Sequence, residues 1–78
     1  MSISTLDSAA VDVAVEGDAL KVVLRDGRTI SAPLAWFPRL AAASQASLND
    51  WRFIGDGEGI HWNLLDEDLS VAALLRVR

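Results

Sequence analysis

The 78-residue sequence predicts one small α+β domain. Its expected architecture is an antiparallel β-sheet made of a three-strand meander plus a two-strand hairpin. One or two short helices follow strand 3, and a short C-terminal helix ends the chain. Three observations carry this reading. Apolar residues alternate with a period of two from Val11 to Leu24, glycine-centred turns punctuate the alternation, and helix formers follow Pro38 and Ser70. Residues 1–78 are read as a single domain, with 1–9 as a flexible, polar N-terminal segment.

Val11, Val13 and Val15 alternate with Asp12, Ala14 and Glu16, the pattern of a half-buried strand. Gly17-Asp18 interrupts, and Leu20, Val22 and Leu24 resume it. A two-residue loop at Gly17-Asp18 sets Val15 opposite Leu20, Val13 opposite Val22 and Val11 opposite Leu24, gathering six apolar side chains on one face. The next turn, RDGR, contains the Asp-Gly pair typical of two-residue hairpins, yet that register sets Leu24 against Thr29 and leaves Ile30 on the wrong face. A three-residue loop, Arg25-Asp26-Gly27, pairs Val22 with Ile30 and Leu20 with Ala32, and requires Gly27 for its left-handed backbone.

Pro33 closes the third strand, and Leu34-Ala35-Trp36-Phe37 leads away from the sheet. Pro38 suits a first helical position, where its missing N–H costs nothing. Leu40, Ala43 and Ser47 or Leu48 are expected to face the sheet, with a break near Ser44 where Ser44 or Ser47 caps a second short turn. Trp51-Arg52-Phe53-Ile54 and Gly59-Ile60-His61-Trp62 then form a hairpin through GDGEG. The register that places Trp51, Phe53, Ile60 and Trp62 on one face is preferred because it gathers three aromatics. Asp68-Leu69-Ser70 leads into VAALLR, a helix that docks through Leu69, Ala73 and Leu74.

The absence of cysteine excludes a disulfide framework, thiol catalysis and cysteine-based metal sites, and suits a reducing cytoplasm. No apolar run approaches the roughly 20 residues of a spanning helix, so no membrane association is expected. Seven basic against eleven acidic residues give a net charge of −4, which disfavours direct nucleic-acid binding. The charge is uneven: Asp50, Asp56, Glu58, Asp66, Glu67 and Asp68 lie in a stretch whose one lysine or arginine is Arg52. Such an acidic surface suits a protein partner with a basic face, although a solvated face that maintains solubility explains the same composition.

Each apparent chemical motif has a plainer reading. GDGEG lacks the GK[ST] ending of a phosphate loop, its Asp56 and Glu58 repel phosphate, and it is too short for a calcium loop. His61 and the nearby acids have the residue types of a metal site or an acid/base pair, but the strand pattern turns His61 away from the Ile60 and Trp62 face and puts the acids beyond a bend. Asp66, Glu67 and Asp68 are read as carboxylates before the last helix, favouring its positive end, with Asp68 or Ser70 as the cap. No catalytic, cofactor-binding or metal-binding residue is assigned, and no enzyme activity is expected. Trp36, beside Phe37, has the character of a protein-binding anchor.

The segments DGRTISAPLAWFPRL (26–40), Trp51 with Ile54-Gly55, GIHW (59–62) and LDEDLSVAALL (65–75) closely resemble a bacterial and phage-associated family known as domain of unknown function 2442. The resemblance spans roughly residues 11–76. It implies a compact α+β domain with an antiparallel sheet, occurring alone or fused to a DNA-binding helix-turn-helix domain, which this chain, ending at Arg78, is expected to lack. It also implies pairing with another small protein in modules that look like toxin-antitoxin systems, and no catalytic residues. Asn63 departs from the pattern, standing where a proline is expected.

The functional expectation is therefore a non-catalytic cytoplasmic protein-binding module that neutralises or modulates a partner, antitoxin-like or anti-CRISPR-like. Asp56, Glu58, Asp66, Glu67, Asp68 and Trp36 are the candidate contact residues, and the partner is a toxin or a nucleic-acid-binding defence complex with a basic surface. Rival expectations are a small-ligand or metal-binding domain centred on His61, and a structural or oligomeric role through an exposed strand edge. The chain is expected to be a monomer or weak dimer, without cofactors.

Overall fold

The computed structural model describes residues 7–76. Strands β1 (Ala10–Glu16), β2 (Ala19–Leu24) and β3 (Thr29–Pro33) form one antiparallel sheet in the order β1-β2-β3. Strands β4 (Trp51–Ile54), β5 (Gly59–Trp62) and β6 (Glu67–Ser70) form a second, in the order β4-β5-β6. Between the sheets run a 3-10 turn at Leu34–Trp36 and two single-turn helices, α1 (Pro38–Ala41) and α2 (Gln45–Leu48); α3 (Val71–Arg76) follows β6. The α+β class is as the sequence predicts, but the predicted hairpin is a three-stranded sheet.

Both turns of the first sheet follow from their glycines. Gly17 takes φ +57°, and the two-residue loop sets Val15 opposite Leu20 and Val13 opposite Val22. Gly27 takes φ +98° in the three-residue loop, with Leu24 N–H donating to the Arg28 carbonyl at 2.8 Å, and Val22 pairs with Ile30. The expected pairing of Val11 with Leu24 is overturned. A bulge between Ala10 and Asp12 puts Ala10 opposite Leu24 and leaves Val11 45% exposed. The cause lies in the other sheet, because Ala10 N–H donates to the Gly57 carbonyl of the β4–β5 turn at 2.8 Å. A Cβ on Gly57 would lie 2.5 Å from the Ala10 carbonyl oxygen, so the approach requires glycine on one side and a small residue suits the other.

Residues 1–6 of the segment expected to be flexible lie outside the described residues. Residues 7–9 are hydrogen-bonded to the β2–β3 turn: Arg25 N–H donates to the Ala9 carbonyl at 2.8 Å, and Asp26 N–H to that of Asp7 at 3.2 Å.

The break near Ser44 is present. Ser44 is the N-cap of α2, its hydroxyl accepting from Ser47 N–H at 3.2 Å, which leaves Leu40 and Leu48 buried on the inner side. In the second sheet Trp51 pairs with Trp62 and Phe53 with Ile60, the aromatic register read from the sequence. Strand β6 replaces the expected run of helix-leading carboxylates, pairing Leu69 with Ile60, Asp68 with His61 and Glu67 with Trp62. Ser70 alone keeps the capping role, its Oγ accepting from Ala73 N–H at 3.2 Å. Leu69 packs against the core as expected, from β6, and Leu74 is buried; Val71, three residues before it on the helix, takes the buried place expected of Ala73.

One core joins the two sheets. Leu20, Val22 and Leu24 from β2 cluster with Leu40, Leu48, Ile60, Trp62, Val71 and Leu74. Trp62 is wholly buried, and its indole N–H donates to the Leu48 carbonyl at 3.1 Å, meeting the need of a buried donor. Gly57→Ala combines a positive φ of +86° with two backbone clashes, so denaturant unfolding is expected to show a loss of about 2 to 4 kcal/mol. An unchanged midpoint would show that β1 docks elsewhere.

Candidate functional site

The five carboxylates singled out in the sequence occupy two ends of the second sheet. Asp56 and Glu58 are exposed on the β4–β5 turn, where Gly57 is fixed by β1. Asp66 lies on the β5–β6 turn, with Glu67 and Asp68 following on β6. Because β5 and β6 run antiparallel, Gly59 opposite Ser70 marks one end and Trp62 opposite Glu67 the other. Between them lie three residues' rise, about 10 Å of strand.

Each end is organised by an arginine that composition alone does not single out. Arg25, on the β2–β3 turn, reaches Asp7 at 3.1 Å and Asp56 at 3.4 Å, and these residues with Glu58 and Val71 border an open recess of about 410 Å³. At the other end Arg39, from α1, donates to the carbonyls of Leu65 and Asp66, both at 3.2 Å, and its Nε lies 3.9 Å from Glu67. Those contacts hold Asp66 in a left-handed conformation, φ +50°, that a non-glycine residue adopts at some cost. These ion pairs are exposed or, at Glu67, half-buried, and they fix side-chain positions more than they add stability.

His61 is not isolated from the acids. The β6 strand sets Asp68 directly opposite, and His61 Nδ1 contacts Asp68 Oδ1. The pair lies on the outer face, with Arg52 opposite His61 on β4. Two such side chains are fewer than the three or four protein ligands of an ordinary zinc site, and among the described residues no group of three or more histidines and carboxylates is placed to hold a metal. No helix of the described residues is long and apolar enough to cross a membrane.

Trp36 lies apart from both acidic ends. It is 48% exposed and, with Ile30, Ala32, Leu74 and Leu75, borders a groove of about 350 Å³ along β3. Leu75, 41% exposed, escaped the sequence reading because its place on α3 is set by which face Val71 and Leu74 bury. Asn63 also finds a role: its backbone N–H and its side-chain amide donate to the carbonyl and carboxylate of Asp50, both at 3.1 Å. A proline there would lack the first donor.

Asp26 shows the clearest electrostatic effect. Arg28 Nε donates to its carboxylate at 3.0 Å and Arg28 N–H adds a second bond at 3.0 Å, holding the carboxyl below its usual 3.8. A carboxyl whose pKa is lower in the folded chain contributes stability above its unfolded pKa and loses that contribution as pH falls through the folded value. The stability advantage of the native chain over Asp26→Asn is therefore expected in full above about pH 5 and to shrink below about pH 4, measured by urea unfolding across pH. A pH-independent difference would contradict the pairing.

Comparison with known proteins places this arrangement in a family. No curated protein matches the chain. A crystal structure of a protein of unknown function from Rhodospirillum rubrum is similar, with 30% identity and a TM-score of 0.74 over 86% of this chain and 83% of that one. The model of the family described as "Protein of unknown function (DUF2442)" matches residues 10–78, from the first residue of β1 onward, and the chain belongs to that family.

Proposed function

We propose that the domain is a non-catalytic protein-binding module that neutralises or modulates a partner with a basic surface, in the manner of an antitoxin or a small inhibitor of a nucleic-acid-binding complex. One observation carries the reading. Across the second sheet and its turns, residues 51–70, five carboxylates face solvent wholly or in part against a single arginine, Arg52. Asp56 and Glu67 are steadied by Arg25 and Arg39, while Glu58, Asp66 and Asp68 are exposed. Fixed charge of one sign raises encounter rates with an oppositely charged surface and makes them salt-dependent.

The division into two ends implies a partner whose basic patches are spaced by about 10 Å along a strand. The test is affinity capture from host lysate with the native chain, with Asp66→Lys/Asp68→Lys and with Asp56→Lys/Glu58→Lys, at low salt and at about 0.5 M salt. A partner held by the native chain at low salt, released by salt and lost with either double variant supports the reading. Capture that is indifferent to salt and to both charge reversals contradicts it.

A further inference from the structure

Among the described residues four strands lie at sheet edges, and three of them are defended against pairing with another chain. β1 has its bulge and carries Asp12 and Glu16, β4 carries Arg52, and β6 carries Glu67 and Asp68. Bulges and charges of this kind are the usual means of blunting an edge. β3, with the sequence TISAP, has neither. α3 packs beside β3 but leaves a groove along it, and the terminal Pro33, whose missing N–H shortens the usable edge, does not close it.

The backbone groups that this edge presents follow from the ladder. Leu24 N–H donates to the Arg28 carbonyl at 2.8 Å and Leu34 N–H to the Asp18 carbonyl at 2.7 Å, while Ile30 pairs with Val22 and Ala32 with Leu20. Hydrogen-bonded rungs therefore fall at even-numbered positions, and the N–H and C=O groups of Thr29 and Ser31, with the Pro33 carbonyl, point away from β2. All three residues are exposed.

We propose that β3 is a homodimerisation edge, taking the β3 strand of a second copy antiparallel about a two-fold axis at Ser31. This goes beyond the partner-binding reading and uses none of its carboxylates. In that register Ser31 N–H meets the Ser31 carbonyl of the second copy and Thr29 N–H meets its Pro33 carbonyl, so every outward donor of the strand is satisfied and the missing proline N–H falls opposite the Thr29 carbonyl, which can bond water. Side chains also agree, with Ser31 opposite Ser31, Thr29 opposite Pro33, and Ile30 opposite Ala32 on the inner face. Ile30, Trp36 and Leu75 line the groove along this edge and supply an apolar flank for the seam. Charge permits a second copy at this place: the chain carries −4, and copies repel least where acids are absent, as on β3, on α3, whose charged residue is Arg76, and in the groove, whose charged lining residue is Arg28.

Sedimentation and light scattering from about 10 μM to 1 mM read the association. The native chain is expected to move from 8.4 kDa toward twice that mass, in a shift that persists when salt is raised. Ser31→Pro deletes an outward donor without removing a rung to β2, and Ser31→Lys sets like charges together at the two-fold axis. Each is expected to weaken association at least about tenfold with unchanged far-UV circular dichroism. Should Ser31→Pro unfold, Ser31→Lys and Thr29→Lys, both at exposed side chains, decide the matter. A native chain that stays monomeric at about 1 mM, leaving the edge to a foreign strand or to water, overturns the proposal, as does a dimer that survives both lysine substitutions. Asp66→Lys/Asp68→Lys is expected to leave the dimer intact, so loss of partner capture and loss of dimerisation are separate results.

Discussion

Trp62 must be buried, and its indole N–H must have an acceptor. The rest of the molecule is arranged around that constraint. The ring lies wholly out of solvent on the middle strand of the second sheet, and the acceptor it uses is the Leu48 carbonyl at the end of α2. That carbonyl is available because a helix leaves its last C=O groups without internal partners. The single turn of α2, held at its start by Ser44, thus places an unsatisfied acceptor where the sheet needs one. Without the linker helices the second sheet would have no lid, and without the second sheet the apolar row of β2 would face water.

Because the core is shared, each half of the chain corrects the other. Ala10 replaces Val11 opposite Leu24 since the β4–β5 turn comes within hydrogen-bonding distance of β1, and Gly57 is the residue that lets the two backbones meet. The returning α3 buries Val71 and Leu74 in the same cluster. With the interior occupied by aliphatic side chains and one tryptophan, polar chemistry is confined to the surface. There, arginines from neighbouring elements, Arg25 and Arg39, fix the ends of a carboxylate-rich sheet.

Much of this was legible where the pattern is local. Period-two alternation and the choice between two- and three-residue loops fixed the first sheet's register, because a slip by one residue would have turned Ile30 outward. The aromatic side chains did the same for β4 and β5. What escaped was non-local. The bulge at Val11 answers to a turn some 45 residues later, which no window around β1 contains. Strand β6 has one large apolar residue, Leu69, between two acids and a serine, and it is a strand because β5 offers a free edge. Missing β6 also misplaced the candidate site, since Asp68 meets His61 only through that pairing and the carboxylates divide into two ends only once β5 and β6 run antiparallel.

If one core holds both sheets, damage at Trp62 must be felt in the first sheet as strongly as in the second. Native-state hydrogen exchange on Trp62→Phe, which removes the Leu48 hydrogen bond and leaves a void, can follow the Val22 amide in one sheet and the Ile60 amide in the other. Both are expected to lose about 2 to 4 kcal/mol of protection by equal amounts. Loss at Ile60 with Val22 unchanged would show two independently stable sheets and contradict a shared core.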